Sequence, residues 1–399
     1  VPIVTLIGHA LLMAVTMFWT ILWALILGFT ISAAVQAVVS TQTMGHWLGD
    51  DRPRTLAIAC GFGAASSSCS YAAVAITRSL IRKGANFTAA MAFELASTNL
   101  VVELTVIIVL LLGWPFAAAE FVGAPIMVAI LALLFRRWLT RAMVDAARTQ
   151  ADRGIAGRME GHAAMDMAIV DARPVVRRLL SPEGRTAVSH YFVMDWVSVW
   201  LDIALGLVIA GTLAVVVPTG LWHAFFLAGH PVLARLWGPL IGPLVAILSF
   251  VCSVGNVPLA AVLWNSGISF GGVIAFLFAD LIILPILDIY RRYYGRRMAW
   301  FLLGTFYVSM AGAAYLVELL FGGLGLIPTT RSARVVDEAI TWNYTTWLNL
   351  AFLALAVLLV VRFLRTGGPA MLRMMDRPAA AMSHPQGAHL DRDAPVHHR

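Results

Sequence analysis

The first charged residue in the chain is Asp50. Further uncharged runs cover residues 55–77, 203–234 and 236–279. A transmembrane helix needs ~20 consecutive apolar residues, and uncharged stretches of this length point to lipid as the solvent. Composition agrees, with 60% hydrophobic and 12% charged residues, where soluble domains carry ~45–50% and ~25%. A soluble chain of 399 residues could not hide so much apolar surface. The expected fold class is an all-α polytopic membrane protein.

Spans are expected near residues 11–39, 86–112, 115–135, 191–217, 269–290, 299–321 and 346–364. The first has no charged region ahead of it and reads as a retained helix, not a signal peptide. Two other apolar segments, 55–80 and 237–266, are crowded with helix-breaking residues. One holds Gly61, Gly63, Ser66, Ser67 and Ser68, the other Gly238, Pro239, Gly242, Pro243, Gly255, Asn256 and Pro258. Backbone freed by such residues must be buried in protein or line a cavity, because lipid cannot satisfy it.

Arginine sets the expected orientation. The net charge of +7 is almost all arginine, with Lys83 the sole lysine. Residues 136–190 hold ten arginines against six acidic residues and read as a cytoplasmic linker. Arg291, Arg292, Arg296 and Arg297 mark a second cytoplasmic loop, and Arg362 with Arg365 a cytoplasmic tail. Only two clear spans separate linker and second loop, so 237–266 must enter and leave on one face as a re-entrant hairpin. Basic residues flank 55–80 on both sides, which makes it a hairpin from the opposite face and puts the N-terminus outside.

A shift of 183 places residues 69–99 on 252–282 without a gap, with nine identities in 31. Cys69-Ser70 falls on Cys252-Ser253, Gly84 on Gly267, and Phe87 on Phe270. With Gly84 inside and Gly267 outside, the halves become two inverted-topology repeats with re-entrant, broken helical hairpins, the build of many secondary transporters. The expected organisation is a first transmembrane repeat (1–135), the linker (136–190) and a second, inverted repeat (191–321). An outer loop with a last helix (322–365) and a disordered cytoplasmic tail (366–399) follow.

Cys69 through Gly84, followed by Ala92-Phe93, resembles the first signature of the predicted-permease family that includes ArsP-type organoarsenical permeases. Cys252-Ser-Val-Gly-Asn-Val-Pro258, with Gly267, Ala275-Phe276 and Asp280, resembles its partner signature. The resemblance implies an inner-membrane permease, with soft metal(loid) export described for some members. Tyr71 and Val254 stand where many members have a second cysteine, and Ala75 replaces the proline retained at Pro258.

The expected substrate site lies between the hairpins: Cys69, Ser68, Ser70, Cys252, Ser253 and Asn256. Two thiolates suit a thiophilic species, although a free cysteine often acts as a small buried hydrophobe. Cys60 aligns with Pro243 and reads as structural. No set of residues makes a firm metal site. Ser97, Asn99 and Pro258 are expected along the pathway, with Ser97 aligned on Asp280 and Asn99 sharing a helix face with Glu103. Asp280, Glu94, Glu103 and Asp202 are embedded carboxylates, costly in a membrane and normally functional. Desolvation favours their neutral form, which makes Asp280 or Glu94 a candidate proton carrier. No cofactor is expected, and no phosphate-binding loop is present. The partners are a small-molecule or ion substrate and the lipid bilayer, with no nucleic acid. Gly238-x-x-x-Gly242 suits helix packing within the chain or in a homo-oligomer. An ion channel and an accessory membrane subunit are the alternatives to a permease.

Overall fold

The computed structural model describes residues 3–38, 47–66, 70–151, 167–169, 174–249, 253–333, 342 and 344–375. Every regular element among them is helical. In the first half these are α1 (Ile3–Gln36), α2 (Pro53–Ser66), α3 (Ser70–Arg82), α4 (Phe87–Asn99), α5 (Val102–Leu111) and α6 (Trp114–Trp138). Next come α7 (Arg141–Ala151) and α8 (Val175–Leu180). The second half has α9 (Pro182–Val216), α10 (Thr219–Phe225), α11 (Pro231–Ser249), α12 (Ser253–Asn265), α13 (Phe270–Phe278), α14 (Leu284–Tyr294) and α15 (Arg296–Gly323). A 3₁₀ turn, Ala279–Leu281, follows α13; α16 (Tyr344–Arg365) and α17 (Gly368–Met375) end the described chain.

Five described helices are long and apolar enough to cross a membrane: α1, α6, α11, α15 and α16. The count reaches seven if the bent pairs α4–α5 and α13–α14 are each one span. Their outward faces are apolar. Leu133, Trp300, Leu319 and Leu358 are each more than 60% exposed, an arrangement suited to lipid and not to water.

The 183-residue shift holds in the helix boundaries. Moving α3 from 70–82 gives 253–265, the bounds of α12, and moving α4 from 87–99 gives 270–282, covering α13 and its 3₁₀ turn. Moving α5 and α6 reproduces α14 and α15 to within two residues. Even the chain reversals agree. Ala85 N–H donates to Leu80 C=O and Ile268 N–H to Leu263 C=O, equivalent bonds over Gly84 and Gly267. Both glycines have φ near +100° (96° and 110°), a conformation that a Cβ would strain. Helices at matching positions also pack on each other, α1 on α9 and α6 on α15.

The two ends of each Gly/Ser/Pro-rich segment come together. Asn86 N–H, just after α3, donates to Leu48 C=O, before α2, at 2.7 Å. A Cβ on Gly267, just after α12, would lie 3.1 Å from Ala228 and 3.2 Å from His223, both before α11.

The expected spans 86–112 and 269–290 each bend by 41° at a short break. In the first, Ser97, Thr98 and Asn99 bond back to carbonyls three or four residues earlier, which competes with helix continuation. In the second, Pro285 sits in the first turn of α14 and restricts the residue before it. The bend between Asn99 and Val102 also removes the shared helix face expected for Asn99 and Glu103.

The prolines, by contrast, do not break their helices. α11 runs through Pro239 and Pro243, and α12 through Pro258. Tyr315 and Tyr307 of α15 donate their hydroxyls to the Leu236 and Leu240 carbonyls, each three residues before a proline. Those bonds supply donors where proline weakens the ladder. The Gly238/Gly242 stripe is used within the chain. A Cβ on Gly242 would meet Gly272 O at 2.5 Å, and one on Gly238 would meet Ser269 Oγ at 2.1 Å.

Arginine-rich ends gather on one face, with α7 laid across them. Arg136 donates to Asp51 O (2.9 Å) and Arg148 to Ala85 O (3.1 Å), while Gln150 donates to Arg292 O (3.1 Å). Buried Arg78 of α3 donates through Nε and Nη2 to Ala151 O, the C-terminal end of α7. On the lipid side α16 leans on α1. Asn349 accepts from Trp23 N–H (2.9 Å) and donates to Trp19 C=O (2.7 Å), engaging both groups of one α1 helical turn.

Candidate functional site

Ser70 and Ser253 are the first residues of α3 and α12 and are equivalent under the 183-residue shift. Their hydroxyl oxygens lie 3.0 Å apart. Both also donate to Asp280 Oδ2, Ser70 at 2.7 Å and Ser253 at 2.5 Å. Ser70 and Asp280 are fully buried and Ser253 nearly so. Asp280 reaches this point because the 3₁₀ turn after α13 lets its side chain leave the helix between two bent segments. Its Oδ1 atom has no hydrogen-bond partner among the described residues. Both hydroxyls bond to one carboxyl oxygen, so Asp280 ties the two halves together.

Asn256 stands one turn beyond Ser253 on α12, fully buried, with neither side-chain atom partnered among the described residues. Pro258 is buried farther along the same helix. Glu94 is also fully buried and accepts a hydrogen bond from the Tyr290 hydroxyl of α14. Asp280 is near enough to act electrostatically on Glu94 and Tyr290. From Tyr290 the polar groups continue toward the arginine-rich face. Tyr290 stacks on Tyr294 (6.2 Å), Tyr294 meets Tyr293 edge-on (6.1 Å), and Arg78 lies 4.5 Å over the Tyr293 ring.

Other predicted residues are placed differently. Ser97 donates to the Glu94 carbonyl of its own helix. Thr98, not Ser97, stands beside Asp280. Asn99 donates to Leu95 O and Thr98 Oγ1. Glu103 is in the first turn of α5, with its Cβ against Gly28 of α1. Cys69, Ser68 and Cys252 lie outside the described residues, as does the Asp202 side chain. Cys60 is half-buried and free. Among the described residues, no three His, Cys, Asp or Glu side chains gather to hold a metal ion.

Sequence reasoning missed Tyr290, Thr98, Arg78 and two further buried carboxylates, Glu120 and Glu318. Tyrosines and arginines near a span end read as interfacial residues, and only the fold turns Tyr290 and Arg78 inward. Glu120 was detectable as a lone acidic residue in an otherwise apolar span. Replacing Tyr290 with Phe removes the donor to Glu94 and leaves a buried carboxyl short of a partner. We expect a loss of about 1–3 kcal/mol in stability, read as a lower unfolding temperature in detergent; no change would show that the bond carries little weight.

A family model described as a predicted permease matches residues 6–319, from α1 to near the end of α15. The chain belongs to this ArsP_1 permease family. The permease is 65% identical over 338 residues to a Mycobacterium tuberculosis protein named "Putative permease Rv2963". That match covers 85% of this chain and 83% of the relative. No solved structure matches the chain. The family model spans both sets of repeated helices and stops before α16, so the Ser70–Ser253–Asp280 junction lies within the family's shared part.

Proposed function

We propose that this permease is a proton-coupled secondary transporter whose substrate site lies where α3 and α12 begin. The observation that carries the reading is the contact of Ser70 with Ser253, both donating to Asp280. Two repeat-equivalent residues that touch must lie near the axis relating the halves, and such an axis is where transporters of this build place their sites. A polar junction buried at that point suits an occluded state.

Several contacts support an inverted relation between the halves. The end of α3 neighbours Arg148 of α7 through Ala85. The end of α12 neighbours the segment after α15, where Arg331 donates to the Trp264 and Ile268 carbonyls. α15 separates those two regions by 28 residues, about 42 Å of helix. The hairpins therefore open toward opposite faces. The positive-inside rule makes the arginine-rich face cytoplasmic, with the N-terminus outside and the C-terminus inside a bacterial inner membrane.

Cys69 and Cys252 immediately precede the serine pair in sequence and suit a thiophilic metal(loid) leaving the cell. Asp280 and Glu94 supply the coupling protons. The test is uptake into everted membrane vesicles of trivalent arsenicals, soft divalent metals and small oxyanions, with Cys69→Ser and Cys252→Ser beside wild type. Accumulation of a thiophilic compound, lost in both variants, is the expected result. Transport unaffected by either change would discard the thiol site, and no accumulation of any panel member would overturn the metal(loid) reading.

A further inference from the structure

Glu120 lies on α6 six residues after Trp114, about 9 Å along the helix. One turn before it, Phe116 packs on Trp264 (5.1 Å) and Phe270 (4.7 Å), and Arg331 lies 4.4 Å over Trp264. This is the end of α6 away from the arginine-rich face, since the helix runs on to Arg136 and Arg137. Glu120 is 1% exposed, and neither carboxylate oxygen has a hydrogen-bond partner among the described residues.

The helices packed on α6 carry other charges: Glu94 on α4, Glu103 on α5, and Arg296, Arg297 and Glu318 on α15. Glu318 is already engaged by Arg235 and by the Gly271 N–H. Asp280 follows Phe278, whose ring lies 2.7 Å from where a Cβ on Gly123 of α6 would stand, and it acts electrostatically on Glu120. An ionised carboxylate with no positive partner is strongly unfavourable at this depth, so Glu120 needs a neutralising cation. A metal ion would require several converging ligands, and the described carboxylates do not gather in that way. A proton requires one oxygen.

Glu120, Asp280 and Glu94 are all buried and stand at different depths. Glu120 lies near the end remote from the arginines. Asp280 follows α13, ten residues after Phe270, and Glu94 is seven residues into α4 from the arginine-rich end. We propose that Glu120, Asp280 and Glu94 are three stations of one proton path through the protein, with Glu120 its gate on the face away from the arginines. The proposal rests on the proton-coupled reading above and extends it with an outer half. At each step an O–H bond breaks on one carboxyl as one forms on the next acceptor, and no redox partner takes part. No hydrogen bond joins Glu120 to Asp280, so the path is interrupted in this conformation. A coupled carrier needs that interruption, because a continuous wire would leak.

The test is infrared difference spectroscopy of the full-length protein in liposomes, stepping pH without substrate, for wild type, Glu120→Gln, Glu120→Asp and Asp280→Asn. Wild type should lose a protonated-carboxyl band as pH rises. Glu120→Gln should lack one component of that band, Glu120→Asp should keep the component at a shifted frequency, and exchanging potassium for sodium should leave it in place. A pH-difference spectrum of Glu120→Gln identical to that of wild type overturns the proposal, as does a wild-type spectrum with no pH response. Displacement of the band by sodium at constant pH overturns it too, by revealing a metal-ion site. If Glu120 responds while the Asp280 variant matches wild type, the coupling reading fails. If only Asp280 responds, the extension to Glu120 fails and the coupling reading stands.

Discussion

Asp280→Asn should reduce proton-driven transport on the order of 100-fold, the scale of losing a positioned proton-transfer group, while the protein stays folded. The substitution keeps the side chain's shape. The asparagine carbonyl can still accept from one serine, and the other hydroxyl can rotate to accept from the new amide. What disappears is the group able to take up and release a proton between Ser70 and Ser253. The measurement is substrate-driven pH change inside proteoliposomes, together with the pH profile of uptake. Ser97→Ala is the matched control. Ser97 aligns with Asp280 in the repeat but spends its hydroxyl on its own helix, so its loss should leave transport unchanged. Full pH-dependent transport by Asp280→Asn would remove Asp280 from the coupling scheme.

Gly242→Val should disrupt the fold strongly. Its Cβ would lie 2.5 Å from Gly272 O and 3.0 Å from Phe276 N, both backbone atoms that cannot rotate away. Overpacking of this kind costs about 1–3 kcal/mol, sometimes more. Here it would force α11 from α13 and so move the segment that carries Asp280. Gly63 of α2 meets α4 in a similar way, 2.5 Å from Phe93 O, whereas Gly61 on the same helix meets nothing within 4 Å. The expected order of folded yield in detergent is therefore Gly61→Val near wild type, with Gly63→Val and Gly242→Val far below it. Equal yields for all three would contradict the helix contacts.

Hydropathy and arginine placement disclosed the helical membrane class, and nine identities at one spacing disclosed the repeat. The same spacing paired Ser70 with Ser253, and the structure brings those two hydroxyls together. Depth along a span pointed to Asp280, Asp202 and Glu103, and the structure buries the Asp280 side chain completely. Local bonding was harder to read. The polar run Ser97–Thr98–Asn99 looked like a pathway lining, yet Ser97 and Asn99 turn back on their own helix and end it. Proline density suggested broken helices, while two tyrosines from a distant helix keep α11 continuous. Such compensation depends on tertiary neighbours, so residue type alone does not reveal it. Tyr290 and Arg78 were hidden for the same reason, since their value lies in the partner each meets.

The lean of α16 on α1 bears on how the protein is assembled. Lipid tails compete on nearly equal terms with apolar helix surface, so packing alone holds a peripheral span weakly. α16 is attached instead by spaced polar links: Asn349 to Trp19 and Trp23, Ser189 to the Leu359 carbonyl, and Arg362 to the Pro182 carbonyl and Thr186. Each link needs a partner already fixed in α1 or α9. Biogenesis thus acquires an order, with the repeated helices closing on themselves first and α16 docking afterwards onto a surface they have finished building.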